Sequence, residues 1–343
     1  MVKQVRLGLI GFGNVGQGLA QILAESAADY AAARGLELRI VAVSDALKGS
    51  VYAPEGLDAA RLLEKISADG NFHGLPEEKP AWDAVAMIRE SNADVIVEMS
   101  YTDLKTGQPA ITHFKEALSH RKHVVSTNKG PVALAYSELQ QLAAANGVQM
   151  GVEGTVMSGT PALRLGMEML APAHIHRVMG IFNGTTNYIL TQMESGMSYA
   201  AALAEAQKLG YAEADPTGDV EGFDAAGKVV ILARLLMNTA LRLDEVDRTG
   251  ITALTQSDVA AARSAGERWK LIGSLEKTEA GLKASVKPQR LPLAHPLAGV
   301  SGATNAIHFS TDYLGEVTLI GPGAGCLPTG YAVIEDILAI YRD

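Results

Sequence analysis

The 343-residue sequence has a single cysteine, Cys326. No disulfide can form within the chain, so its stability rests on packing and hydrogen bonds, and the cytoplasm is the expected compartment. No apolar run approaches the ~20 residues that a membrane-spanning helix needs. Met1-Val2-Lys3-Gln4 runs straight into an apolar strand pattern, without the features of a secretory leader. There is no basic run to offset a net charge of −9, which argues against nucleic acid or an anionic membrane as a partner. Repeats and low-complexity linkers are also absent. His174 and His176 form an HxH pair without a third ligand nearby in sequence, so a surface strand pair is expected there rather than zinc.

Glycine is plentiful, and its placement is informative. Val5 to Ile10 reads as a short buried strand and Gln17 to Ala24 as an amphipathic helix, with Gly11-Phe12-Gly13-Asn14-Val15-Gly16 between them. A GxGxxG motif between a strand and a helix marks a dinucleotide site. Gly11 permits the tight turn, Gly13 lets backbone approach a pyrophosphate, Gly16 allows close packing, and the helix amides face the phosphates. Strands at Leu38–Ser44, Ala93–Glu98, His123–Ser126 and Val148–Val152 alternate with helices at His113–Ser119 and Tyr136–Ala145. That alternation predicts a doubly wound parallel sheet of Rossmann type. Ala46 to Pro80 carries a helix, Leu57–Ser67, but no clear third strand. Asp45, ending the second strand, would bond a ribose 2′-hydroxyl and favour NAD, whereas Lys48 could meet the 2′-phosphate of NADP. The choice stays open. The chain is long enough for about two domains, and the pattern changes near Gly151.

The second half holds a turn rich in acids, Gly210 to Gly222, that leads into a helix. At the helical period Glu221, Asp224 and Lys228 would share one face, while Val229 to Ala233 make the helix apolar on nearly all sides. Charges on a buried helix have to be paired or put to use. A solvated i,i+4 pair is the plain alternative.

Further segments are Ser126-Thr127-Asn128-Lys129-Gly130-Pro131, Glu153 to Pro161, Gly180-Ile181-Phe182-Asn183-Gly184-Thr185-Thr186-Asn187-Tyr188, His295-Pro296 with Asn305-Ala306-Ile307, and Gly321-Pro322-Gly323-Ala324-Gly325. In this order, and above all in the GYxExDPxxDxxGxDxxxK run beginning at Gly210, the chain resembles homoserine dehydrogenase from Val5 to its last helix. The resemblance implies NAD- or NADP-dependent interconversion of homoserine and aspartate 4-semialdehyde. It implies Lys228 as proton donor and acceptor, Asp224 beside it, and Lys129 as a further catalytic or cofactor residue. Glu213 would hold the substrate ammonium, with Asp219 in the same loop; some relatives carry a second acid where this chain has Gly218. Ser100, Tyr101 and Gly325 would line the cofactor channel. Main-chain atoms of Glu153, Val156, Ser158 and Thr160 would hold a sodium ion.

The implied architecture is a cofactor domain at 1–150, rejoined by about 324–343 as the last helix returns, and an α+β substrate and dimerisation domain at 151–323. Strands around Ile307–Thr311 and Glu316–Ile320 fit a sheet that pairs two subunits in a homodimer. Longer relatives append a regulatory domain that senses threonine; the chain ends at Asp343, so catalysis without that feedback is expected. A related oxidoreductase acting on another small amino acid or aldehyde, or a non-catalytic nucleotide sensor, are the competing readings. Glu78-Lys79-Pro80 spells a motif of sugar-type Rossmann dehydrogenases, but no strand precedes it. A surface helix start near Trp82 is expected instead.

Overall fold

Val5, Leu7 and Leu9 alternate along the first strand with every one of them fully buried, and a parallel sheet grows around them. The computed structural model describes residues 2–342. It divides into a first unit, running to Gly159 and resumed from Gly325, and a second unit, Thr160–Ala324.

The first unit has β1 (Lys3–Ile10), β2 (Leu36–Asp45), β3 (Gly49–Tyr52), β4 (Val95–Glu98), β5 (His123–Ser126) and β6 (Met150–Gly151) in spatial order β3-β2-β1-β4-β5-β6. All neighbours are parallel except β2 and β3. The Rossmann-type sheet is therefore as expected, and its strand order reverses between β1 and β4, where such sheets bind ligands at the strands' carboxyl ends. Helices α1 (Asn14–Arg34), α2 (Ala59–Asp69), α3 (Ala84–Glu90), α4 (Ala110–Ser119) and α5 (Lys129–Asn146) connect the strands. The last helix, Cys326–Ile340, packs in this unit as well, where Val333, Ile334 and Ile337 join the core of β1 and β2. Each such side chain contributes roughly 1.5–3 kcal/mol.

Three local expectations need correction. The 46–80 segment does contain a strand, β3, which doubles back antiparallel on β2. Lys79 N donates to Ser50 O and Tyr52 N to Glu77 O, so Glu78-Lys79-Pro80 flanks this strand and is not a helix start; the helix begins at Ala84. A four-residue strand pinned by tertiary pairing has too short a pattern to show in sequence. The fifth helix begins at Lys129 rather than Tyr136, because Asn128 caps it through Gly130 N. The expected strand at Val148–Val152 is only the two residues of β6.

The second unit is a mostly antiparallel sheet with helices. After a turn of helix, α6 (Ala162–Arg164), come β7 (Ile175–Ile181), α7 (Gly184–Glu194), α8 (Tyr199–Lys208), α9 (Thr217–Val220), α10 (Phe223–Met237), β8 (Asp247–Arg248) and α11 (Gln256–Ser264). The unit closes with β9 (Glu267–Thr278), β10 (Gly281–Pro292), β11 (Thr304–Thr311) and β12 (Gly315–Pro322). Their order is β12-β11-β7-β9-β10-β8. His174 is not on a strand: it caps a 3-10 turn at φ +58°, while His176 lies on β7. Both imidazoles face Asp312, at 3.7 and 3.1 Å. Among the described residues no histidine, cysteine and carboxylate group forms a metal site, and no helix is long and apolar enough to cross a membrane.

Candidate active site

The turn after β1 is built by glycine at three positions, each for a different reason. Gly11 has φ +89°, and a Cβ there would lie 2.8 Å from Met99 O. At Gly16 a Cβ would lie 2.7 Å from Gly11 O, so the start of α1 packs directly on the turn. A Cβ at Gly13 would meet nothing within 4 Å: this glycine leaves open space over the exposed Gly13 and Asn14 at the start of α1. Such a cradle fits a pyrophosphate resting on helix amides. Val15 is half-buried. Phe12 turns its ring inward, edge-on to Phe72 with centroids 5.3 Å apart, so only its backbone belongs to the cradle.

Asp45 ends β2 and is committed to that turn. Its carboxylate accepts from Phe12 N at 2.7 Å, Leu47 N at 2.9 Å and Lys48 N at 3.0 Å, with Lys48 Nζ at 3.7 Å. Burial pushes its pKa up, but the three amides and the ammonium outweigh that and hold it below the ordinary carboxylate value.

At the end of β4, Ser100 is half-buried and Tyr101 is exposed. Their carbonyls accept from Asn128 Nδ2 at 3.1 and 3.0 Å. Lys129 is the first residue of α5 and half-buried. Gly325 caps the last helix at φ +125°. In the Glu153–Ser158 loop, Glu153 N donates to the buried Asp336 at 2.9 Å and Val156 is buried and extended. Met157 and Ser158 are successive left-handed residues, φ +62° and +55°. Ser158 Oγ also bonds Thr329 Oγ1 at 2.7 Å. Thr160 belongs to the second unit, where its hydroxyl donates to Pro322 O at 2.9 Å.

The second unit gathers its own charged cluster around α10. Ala225 to Ala233 are all buried, Lys228 among them. Lys228 Nζ donates to Phe182 O at 2.5 Å and to Asp224 Oδ2 at 2.8 Å. Asn183, the cap of α7, reaches across with Nδ2 to Asp219 Oδ1 at 2.7 Å and Asp224 Oδ2 at 3.1 Å. Burial raises the pKa of Asp219; Asp224 adds to the rise, while Asn183, Thr185 and Lys228 oppose it. Asn183 is the residue that sequence reasoning passed over. Its signal is an Asn immediately before Gly184-Thr185-Thr186 at a strand-to-helix junction, which reads only as a helix cap.

Two expected members behave differently. Glu221 is not on α10, because Gly222 at φ +79° ends α9 and starts a new helix; its carboxylate takes Thr252 Oγ1 at 2.9 Å instead. Glu213 is exposed on the loop, and Gln207 Nε2 holds its carbonyl at 3.0 Å. That loop is also tied to the start of α7 by Thr185 Oγ1, which donates to Tyr211 O at 2.5 Å.

A glycine cradle on a doubly wound sheet, with a second unit that holds a buried lysine between a main-chain carbonyl and a carboxylate, defines a nicotinamide-dinucleotide-dependent oxidoreductase. Comparison with known proteins narrows this. Residues 161–338 match the homoserine dehydrogenase family and residues 11–153 match the homoserine dehydrogenase NAD binding domain. The chain is 45% identical over 342 residues to an NAD(+)-dependent homoserine dehydrogenase of Pseudomonas canavaninivorans, covering 99% of this chain and 97% of that one. It superimposes on the crystal structure of a putative homoserine dehydrogenase from Archaeoglobus fulgidus with a TM-score of 0.89 at 36% identity, covering 99% and 100%. A hyperthermophilic archaeal homoserine dehydrogenase mutant in complex with NADPH matches with a TM-score of 0.85 at 30% identity, covering 98% and 97%. The chain belongs to the homoserine dehydrogenase family.

Proposed function

We propose that the homoserine dehydrogenase activity of this chain is carried by Lys228, held between Phe182 O and Asp224. A bound nicotinamide would supply hydride transfer to and from the carbon that bears the homoserine hydroxyl. The protein then has one proton to handle, at the substrate's C4 oxygen. A lysine ammonium has three hydrogens; two go to Phe182 O and Asp224, and the third is directed to that oxygen. Lys228 gives the proton in reduction and takes it in oxidation. Asp224 orients Lys228, and Asn183 keeps Asp219 and Asp224 side by side. The exposed carboxylate of Glu213 binds the substrate ammonium, and Lys129 serves as a second catalytic or cofactor residue. The observation that carries this reading is the pairing of buried Lys228 with half-buried Asp224. Homoserine oxidation followed at the nicotinamide absorbance tests it, and wild-type turnover in Lys228→Ala would overturn it.

We also propose that NAD is preferred over NADP. The Asp45 carboxylate is fixed and ionised beside the glycine turn, where a 2′-phosphate would meet like charge. The 45% identical relative named as NAD(+)-dependent supports this. The successive left-handed residues Met157 and Ser158 favour a sodium ion on main-chain carbonyls of the Glu153–Ser158 loop, with Thr160 as a fourth ligand. Carbonyl oxygens suit a hard cation. Sodium-for-potassium exchange in the assay tests it. Exposed Tyr313, Leu314 and Ile320 on the β11–β12 hairpin fit a homodimer formed through the second unit, checked by light scattering in solution. A cytoplasmic location agrees with the lone cysteine, and fractionation tests it.

A further inference from the structure

Glu98 is the last residue of β4, fully buried, and it pairs with Ile10 where the strand order of the sheet reverses. A buried carboxylate is costly unless every lone pair is used, and none of the proton-transfer chemistry above needs this one. Its partners show what it holds. Oε1 accepts from Ser100 N at 2.7 Å and from Ser100 Oγ at 2.5 Å. Oε2 lies 2.5 Å from Nδ1 of His113, which is itself buried on α4. This contact from His113 fixes the plane of the carboxylate.

The segment this pair grips is held from its other side too. Asn128 Nδ2 takes the carbonyls of Ser100 and Tyr101, and lies 3.5 Å from Ser100 Oγ. Just before it, Met99 O is the atom that a Cβ on Gly11 would strike. The Met99–Tyr101 strap is therefore locked against the glycine turn by two buried side chains. Ser100 gives its only hydroxyl hydrogen to Glu98, so its half-buried oxygen is left with acceptor capacity only.

We propose that His113 and Glu98 are positioning residues for the cofactor: they hold Ser100 Oγ as a fixed acceptor for an N–H or O–H donor on the nicotinamide nucleoside. Two groups share that chemistry, the carboxamide –NH2 and a ribose hydroxyl. The inference rests on the reading of Ser100 as a cofactor contact.

The test is a double-mutant cycle on NAD binding, by calorimetry, with thermal unfolding measured alongside. Ser100→Ala and His113→Asn should each weaken NAD about tenfold, and the double variant should be no weaker than Ser100→Ala alone. Losses that multiply to about a hundredfold, or a His113→Asn protein with lowered Tm and unchanged NAD affinity, would overturn the inference while leaving Ser100 in the site. If Ser100→Ala binds NAD normally, the underlying reading of Ser100 fails as well. Should His113→Asn not fold, Glu98→Gln enters the same cycle with the same criteria. Repeating the series with 3-acetylpyridine adenine dinucleotide, which lacks the amide N–H, identifies the donor. A Ser100→Ala loss that disappears with this analogue points to the carboxamide, and a loss that persists points to the ribose. Homoserine turnover does not enter these readouts.

Discussion

Asn183 Nδ2 stands between two carboxylates, 2.7 Å from Asp219 and 3.1 Å from Asp224, and Asp224 in turn lies 2.8 Å from Lys228 Nζ. One amide thus bridges the two carboxylates, of which Asp224 holds the lysine. Replacing Lys228 with Ala is expected to lower kcat by about 10²–10⁴-fold while the affinity for NAD is retained, because the cofactor cradle lies in the other unit. Asn183→Ala should lower kcat without unfolding the chain, as Asp219 and Asp224 lose their shared donor. Glu213→Ala should raise KM for homoserine more than it lowers kcat. Steady-state kinetics on the three variants separate these roles, and an unchanged KM would remove Glu213 from the site.

The glycine turn makes a prediction in which two similar substitutions part company. Gly13→Ala meets no atom, so the fold should be untouched and the loss should appear in NAD affinity. Gly16→Ala drives a methyl into Gly11 O, at a cost of about 1–3 kcal/mol in stability. Urea unfolding and NAD titration on both proteins check the contrast.

Asp45 should set the cofactor preference. Wild-type kcat/KM is expected to favour NAD over NADP by at least about tenfold, an electrostatic difference near 1.4 kcal/mol. Asp45→Asn should shrink the ratio by relieving NADP more than it harms NAD. A ratio that does not move would show that the carboxylate serves only the turn.

Lys270 offers a pH prediction away from the site. It is fully buried on β9, bonded to Val300 O at 2.7 Å and Asn187 Oδ1 at 3.2 Å, and burial pushes its pKa from 10.5 down to about 8. The folded value lies below the unfolded one, so between about pH 8 and 10.5 the unfolded chain holds the extra proton. Stability at this position then rises with pH across that window, by about 3 kcal/mol at most. Lys270→Met should remove this rise, read as the difference between wild-type and variant unfolding free energies at pH 7.5 and 10. A difference that stays constant would mean that the lysine stays charged in the fold across this range, its pKa not lowered by burial.

The sequence alone determined the parallel sheet, because alternating strands and helices leave few other arrangements. It also placed Asp224 and Lys228 one turn apart on a helix that the structure buries, since i,i+4 spacing is a local property. The short antiparallel strand at Gly49–Tyr52 could not be read, because its pairing with β2 and not its own pattern makes it a strand. Glu221 left the expected face for a local reason: Gly222 adopts a left-handed turn that helical periodicity does not foresee. Only the tertiary structure could bring Asn183 to Asp219 and Asp224, and His113 to Glu98. These partners are 36, 41 and 15 residues apart in the chain. Hydrogen bonds across such distances follow from how sheets and helices stack, which no local spacing encodes.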